Sequence, residues 1–232
     1  MERRIMAEIE NKVIYGKFFV AKSDQDDSKF NDKNALGFGW RPGQSEFNLV
    51  IDSCTIDGGG VSEGLKLSFC RNVIVRDSQI MGGSEDCVDI VRGENILFEN
   101  CTFFAGPETK QHITCKGGVK NITFKKCKFV GSFKNWWDGA CIDLGNWTDY
   151  DDVDRPMVRN INIENCVMQD VGCRILYRRL YSETPKVSNS RGFKFNAPRI
   201  FVKLFWWLQR KGAIGARRRF PEDWLKVYDF EL

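Results

Sequence analysis

The chain has 232 residues, is 42% hydrophobic and 28% charged, and carries a formal net charge of +4. That balance excludes a disordered chain and allows one substantial core with an appendage. The most apolar window, RIFVKLFWWLQ (199–209), is too short for a bilayer span and contains Lys203, so no transmembrane segment is expected.

Residues 1–46 read as an N-terminal cap and a first irregular segment. MERRIMAEIENK has helical spacing and lacks the apolar stretch and cleavage site of a secretory leader. The expectation is a non-secreted protein, cytoplasmic at synthesis. Its nine cysteines are then reduced thiols and not a disulfide framework.

From residue 47 to 184 the chain repeats itself. FNLVIDSCTI (47–56), RNVIVRDSQI (71–80), ENILFENCTF (94–103), KNITFKKCKF (120–129) and RNINIENCVM (159–168) align on Asn48, Asn72, Asn95, Asn121 and Asn160. The unequal steps between these asparagines mean that one loop of each unit varies while the rest stays constant. Within a unit, two runs of alternating apolar residues flank one extra residue, which predicts two short strands joined by a two-residue bend. Ser53, Asp77, Asn100, Lys126 and Asn165 stand at that bend. Asp and Asn suit the left-handed backbone it requires; Lys126 suits it less. A further strand precedes each motif, marked by Leu65/Leu67, Val88/Ile90, Ile113/Cys115 and Ile142/Leu144. Cys54, Cys101, Cys127 and Cys166 recur at one place in the unit, as stacked core positions where free Cys acts as a small hydrophobe.

Three strands per unit of about 25 residues predict a solenoid in which each coil buries its inward side chains against the next. The expected fold is all-β, with about five coils, short helical caps and a basic C-terminal appendage. The repeat resembles the right-handed parallel β-helix of pectate-lyase-like and polygalacturonase-like proteins, whose Asn-containing bend lies between the second and third strands.

The stretch SEDCVDI (84–90) places Glu85, Asp86 and Asp89 together. Alternation from inward Val88 and Ile90 turns Asp89 outward on the first sheet, in a column with Lys66, Thr114 and Asp143. Cys87, His112 and Cys141 form a second outward column, whose ligand types suit zinc without an evident fourth partner. The resemblance implies that Glu85 and Asp89 match a calcium pair of lyases, and that DCVDI matches the acidic stretch of polygalacturonases. It also implies a catalytic role for Glu85, Asp86 and Asp89 if the chain is an enzyme. The rest of either catalytic set is missing. SEGLKL (62–67) lacks the earlier Asp, and DRPMVR (154–159) follows the lyase arginine motif only loosely. The alternative is that Lys66, Asp89 and Asp143 are solvated surface charges, with the Lys66–Asp89 pair contributing little to stability.

The long unit between Asn121 and Asn160 carries Trp136, Trp137, Asp138, Asp143 and Trp147, a candidate sugar-stacking platform or protein interface, or else a loop folded onto the solenoid. Residues 185–232 hold 11 Lys/Arg and four Asp/Glu, against 24 and 27 before them. An amphipathic helix over 199–211 is expected there. Arg199, Lys203, Arg210, Lys211, Arg217, Arg218 and Arg219 offer a capping surface or an arm for an acidic neighbour. Nucleic acid has nothing but charge in its favour.

The function expected is a non-catalytic binding or assembly module, such as a phage tail or capsid decoration component, contacting neighbouring subunits or polysaccharide and needing no cofactor. The alternative is a calcium-dependent polysaccharide lyase or a glycoside hydrolase using the first-sheet acids.

Overall fold

The computed structural model describes residues 12–21, 34–39, 47–60, 62–131, 140–146, 156–169, 174–177 and 182–195. Both expected helices, Trp136, Trp137, Asp138, Trp147 and the basic residues from Arg199 to Arg219 lie outside the described residues.

Twenty short strands follow one another without a helix between them in the described residues. The first three are β1 (Lys12–Tyr15), β2 (Phe18–Val20) and β3 (Leu36–Phe38). Four full coils follow. The first two comprise β4 (Phe47–Asp52), β5 (Thr55–Asp57), β6 (Leu65–Ser68), then β7 (Arg71–Arg76), β8 (Gln79–Met81), β9 (Asp86–Val91). The next two comprise β10 (Glu94–Glu99), β11 (Thr102–Ala105), β12 (Gln111–Lys116), then β13 (Lys120–Lys125), β14 (Lys128–Gly131), β15 (Ala140–Asn146). Shorter strands continue the winding: β16 (Arg159–Glu164), β17 (Val167–Met168), β18 (Arg174–Tyr177), β19 (Lys186–Ser188) and β20 (Lys194–Phe195).

Every strand pairs in parallel with its equivalents one coil away. The first sheet runs β3-β6-β9-β12-β15-β18-β20, the second β1-β4-β7-β10-β13-β16-β19 and the third β2-β5-β8-β11-β14-β17. Solenoid strands thus begin well before residue 47 and continue past 184, so the repeat motif marks only the most regular part.

Parallel pairing in register stacks like side chains on like. On the second sheet Ile51, Val75, Phe98, Phe124 and Ile163 form one inward column. Ile56, Ile80, Phe103, Phe129 and Met168 form another on the third. All but Met168 are fully buried. Phe98 stacks on Phe124 with centroids 5.1 Å apart, and Phe103 on Phe129 at 4.9 Å. The expected first-sheet pairs, from Leu65/Leu67 to Ile142/Leu144, are likewise buried and in register.

The corner between second and third sheets is built as expected. Ser53, Asp77, Asn100, Lys126 and Asn165 all have φ between 50° and 56°. After each of these, and after Asn189 with φ 48°, comes a small side chain with a hydrogen to donate: Cys54, Ser78, Cys101, Cys127, Cys166 and Ser190. Cys127 Sγ donates to Lys125 O on its own coil and Phe98 O on the coil before, both at 3.4 Å. Cys166 Sγ does the same with Glu164 O and Phe124 O, both at 3.3 Å. Ser78 Oγ donates to Arg76 O at 2.7 Å and accepts from the Cys54 amide at 3.0 Å. Cys and Ser interchange because the position needs a small donor as much as a small apolar group. Hydrogen bonding to the preceding thiol of the ladder, Cys101 for Cys127 and Cys127 for Cys166, together with burial, raises both pKa values, so neither is a ready nucleophile.

Two measurements check this corner. Cys127→Ala should cost about 1–2 kcal/mol in denaturant unfolding, since it leaves a small void and loses the thiol's hydrogen bonding, whereas Cys127→Ser should cost less. Lys126→Asn should stabilise by about 1 kcal/mol, because Asn is at ease in the left-handed region and Asn100 already bonds Asp77 along this edge at 2.6 Å. A destabilised Lys126→Asn would show that the lysine packs in a way that outweighs its backbone strain.

Candidate functional site: a sealed acid cluster and an open groove

The register places Lys66, Asp89, Thr114 and Asp143 in one column across the first sheet, as the alternation predicts. Their environment differs from the expectation of solvated charges. Asp89 is 0% exposed, and Thr114 and Asp143 are buried. Asp89 Oδ2 lies 3.2 Å from Lys66 Nζ and 3.0 Å from Lys116 Nζ, so one carboxylate is clamped between lysines of the neighbouring coils. Lys66 also reaches Glu63 Oε1 at 3.6 Å, and buried Glu63 accepts a hydrogen bond from Ser62 Oγ.

Asp86, at the start of the same strand, is buried too. Burial raises its pKa well above the carboxylate range, the Asp89 charge adds to this, and the Thr114 hydroxyl and Lys116 offset only part. Lys116 moves the other way. Its own burial favours the neutral amine, but the charge and hydrogen bond of Asp89 outweigh that and hold it protonated. Asp86 therefore holds its proton more tightly than an ordinary carboxyl, beside an Asp89 that two lysines already match. Glu85 is not part of this group; it forms an exposed pair with Lys110 at 2.9 Å.

The second column is also not solvent-facing. Cys87, His112 and Cys141 are all fully buried. His112 Nε2 meets Val130 O at 2.9 Å and its ring packs edge-on against Phe129, while Cys87 Sγ donates to Phe104 O at 3.1 Å. These side chains fill the corner between the third and first sheets, where the strand has just changed direction and simple alternation does not apply. Burial, and next the charge of Asp86, raises the Cys87 pKa, so the thiol stays protonated.

Glu85 and Asp89 each face lysine ammonium groups where a calcium site needs converging oxygens. Among the described residues no three His, Cys, Asp or Glu side chains come together as a metal would require.

An open feature of the described residues lies on the second sheet. Asn48, Asn72, Asn95, Asn121 and Asn160 all take φ between 52° and 58°, which turns each amide out beside the strand. Each Nδ2 donates to the Oδ1 of the coil before: Asn72 to Asn48 at 3.1 Å, Asn95 to Asn72 at 3.1 Å, Asn121 to Asn95 at 2.8 Å and Asn160 to Asn121 at 2.9 Å. Beside this ladder the outward column Val50, Ile74, Leu97, Thr123 is in register, and ladder and column together line a groove of about 660 Å³. Sequence reasoning used these asparagines only to align the repeats. The overlooked signal was a polar residue held constant at the edge of an otherwise variable surface.

Among the described residues no helix is long and apolar enough to cross a membrane. Among curated proteins none matches the chain in sequence. Among solved structures it is similar to a pectate lyase from Bacillus sp. N165 in complex with trigalacturonate. That match has 13% identity and a TM-score of 0.42, over 91% of this chain and 78% of that one. The family model of the right-handed β-helix region matches residues 9–167. With its parallel coils and in-register columns, this chain belongs to the right-handed β-helix family.

Proposed function

We propose that this chain is a non-catalytic β-helix module for binding and assembly, contacting a polysaccharide or neighbouring subunits. The observation that carries this reading is Asp89, 0% exposed and held by Lys66 and Lys116. A general acid or base must touch the atom it protonates or deprotonates, and a glycosidase needs two carboxyl groups flanking the bond. Asp86 and Asp89 are both withdrawn from solvent, and Glu85 is paired elsewhere. Their geometry is that of a charged structural cluster.

The setting we propose is a non-secreted one, such as a phage tail or capsid decoration. Its support is that all eight described cysteines are buried free thiols, a state that suits a reducing compartment. In that setting the basic residues from Arg199 to Arg219 are the proposed contact to an acidic neighbour, and the tryptophans of the long unit a second contact.

Incubation with pectate or alginate should give no unsaturated products, with or without calcium. Asp89→Asn should lower stability by about 3 kcal/mol, because it leaves two lysines facing a neutral amide inside the sheet. Chelator-sensitive, Asp89-dependent cleavage by a variant that is otherwise as stable as wild type would establish the lyase alternative instead.

Asp86 gives a prediction of opposite sign. Its raised pKa means the folded chain holds this proton more tightly than the unfolded chain does. The stability it contributes is therefore fully present below the unfolded carboxylate pKa, about 4, and is lost as pH rises through the folded value. Asp86→Asn should gain on wild type as pH rises from about 4 toward neutrality. The difference between the two unfolding free energies, followed against pH, checks this; a flat difference would mean that Asp86 ionises freely in the fold.

A further inference from the structure

The groove on the second sheet has three properties that select its ligand. Its wall is a ladder of amides repeating once per coil, at the strand spacing of about 4.8 Å. A primary amide has two N–H donors and two acceptor lone pairs, and the ladder uses one of each per rung. Each interior rung therefore keeps one donor and one acceptor for a ligand. All the amides point the same way along the solenoid, so their bonds reinforce one another and hold the row in place.

Its floor is apolar and uncharged. Val50 and Leu97 are half-buried, and Ile74 is 37% exposed although nothing in the core requires it to face out. Its rims carry charge, and most of that charge is paired across neighbouring coils. Arg71 and Lys120 share Glu94 at 3.7 and 3.1 Å on one side, which leaves that rim one positive charge in excess. Arg76 pairs with Asp52 at 2.6 Å and Lys125 with Glu99 at 2.8 Å on the other. Among the described residues no column of one sign runs along the groove to attract a polyanion.

We propose that this groove binds a linear, neutral polysaccharide lying along the solenoid axis. The asparagine ladder exchanges hydrogen bonds with its hydroxyls, and Val50, Ile74 and Leu97 carry the apolar faces of its sugar rings. Sugar hydroxyls both donate and accept, which matches what each amide has left. The spacing of the rungs is close to the rise of one sugar in an extended 1,4-linked chain, so successive sugars meet equivalent rungs. The inference rests on the binding-module reading and names its ligand and its face, which is not the first-sheet face of the acid cluster.

The test is calorimetric titration of the full chain with 1,4-linked glucan and mannan oligosaccharides from dimer to octamer, with polygalacturonate as the acidic comparison, at low and high salt. Neutral oligosaccharides should bind, with affinity rising with length and levelling off near one sugar per rung, and with little change in salt. Ile74→Lys and Asn95→Gly should each weaken binding about tenfold, near 1.4 kcal/mol, with a melting temperature close to wild type. Glycine keeps the left-handed backbone of Asn95, and Ile74 lies on the outer face, so neither change disturbs the core. Tighter, salt-sensitive binding of polygalacturonate would overturn the proposal, as would no binding by any neutral glycan. Glycan binding that both variants retain would overturn the groove while leaving a binding module in place. Self-association abolished by Ile74→Lys would assign the groove to a second copy. Cleavage of the oligosaccharides would instead overturn the non-catalytic reading.

Discussion

No coil of this protein buries its own interior. Phe98 is covered by Phe124 and Val75, and Ile90 by Leu67 and Cys115, so each inward side chain depends on the same position one coil away. That dependence demands that every coil turn its corners at the same residues. The single left-handed residues at Ser53, Asp77, Asn100, Lys126 and Asn165 meet the demand at one corner, and those from Asn48 to Asn160 meet it beside the second-sheet strands. Phe69 and Arg92 do so where the first sheet meets the second, with the Arg92 guanidinium over the Phe69 ring. The core columns, the thiol ladder and the amide ladder all follow from this one constraint on stacking.

The constraint also explains which parts of the molecule were legible in its sequence. Inward positions repeat because each has to match its neighbours, so Leu65, Val88, Ile113 and Ile142 announce a sheet. Bend residues repeat because few side chains tolerate positive φ. Outward positions carry no such rule. Alternation correctly turned Asp89 away from the core, yet the outer face of a sheet is solvent only where nothing else lies on it, and one strand cannot report that. Glu63 and Lys116, which complete the cluster, are apart from it in sequence and belong to no repeated pattern. Alternation failed outright at Cys87 and His112, since both stand where the chain enters a strand from a corner and its direction is not yet that of the sheet.

Two kinds of polar ladder coexist here, and their environments give them different tasks. The thiol and hydroxyl ladder is buried, where an unmatched carbonyl costs more than its bond returns, so it secures the corner. The asparagine ladder is at the surface, where each amide bond competes with water and adds little stability. Its asparagines recur on five second-sheet strands because each takes the left-handed backbone that Asn tolerates, and the ladder they form is left facing outward.

The buried charges at Asp89 have a bearing on folding accuracy. A solenoid of near-identical coils has a form of translational near-symmetry: a strand displaced by one whole coil would still place aliphatic on aliphatic and Phe on Phe. The hydrophobic columns alone discriminate weakly between the correct stack and this frame error. The Lys66–Asp89–Lys116 clamp does not repeat. Moved by one coil, Asp89 would lose a cation and Lys116 its carboxylate in a nearly dry site, a penalty of several kcal/mol. The clamp thus acts as a key that only one alignment of coils accepts, and the aperiodic charge within the periodic core is what lets the chain count its own turns.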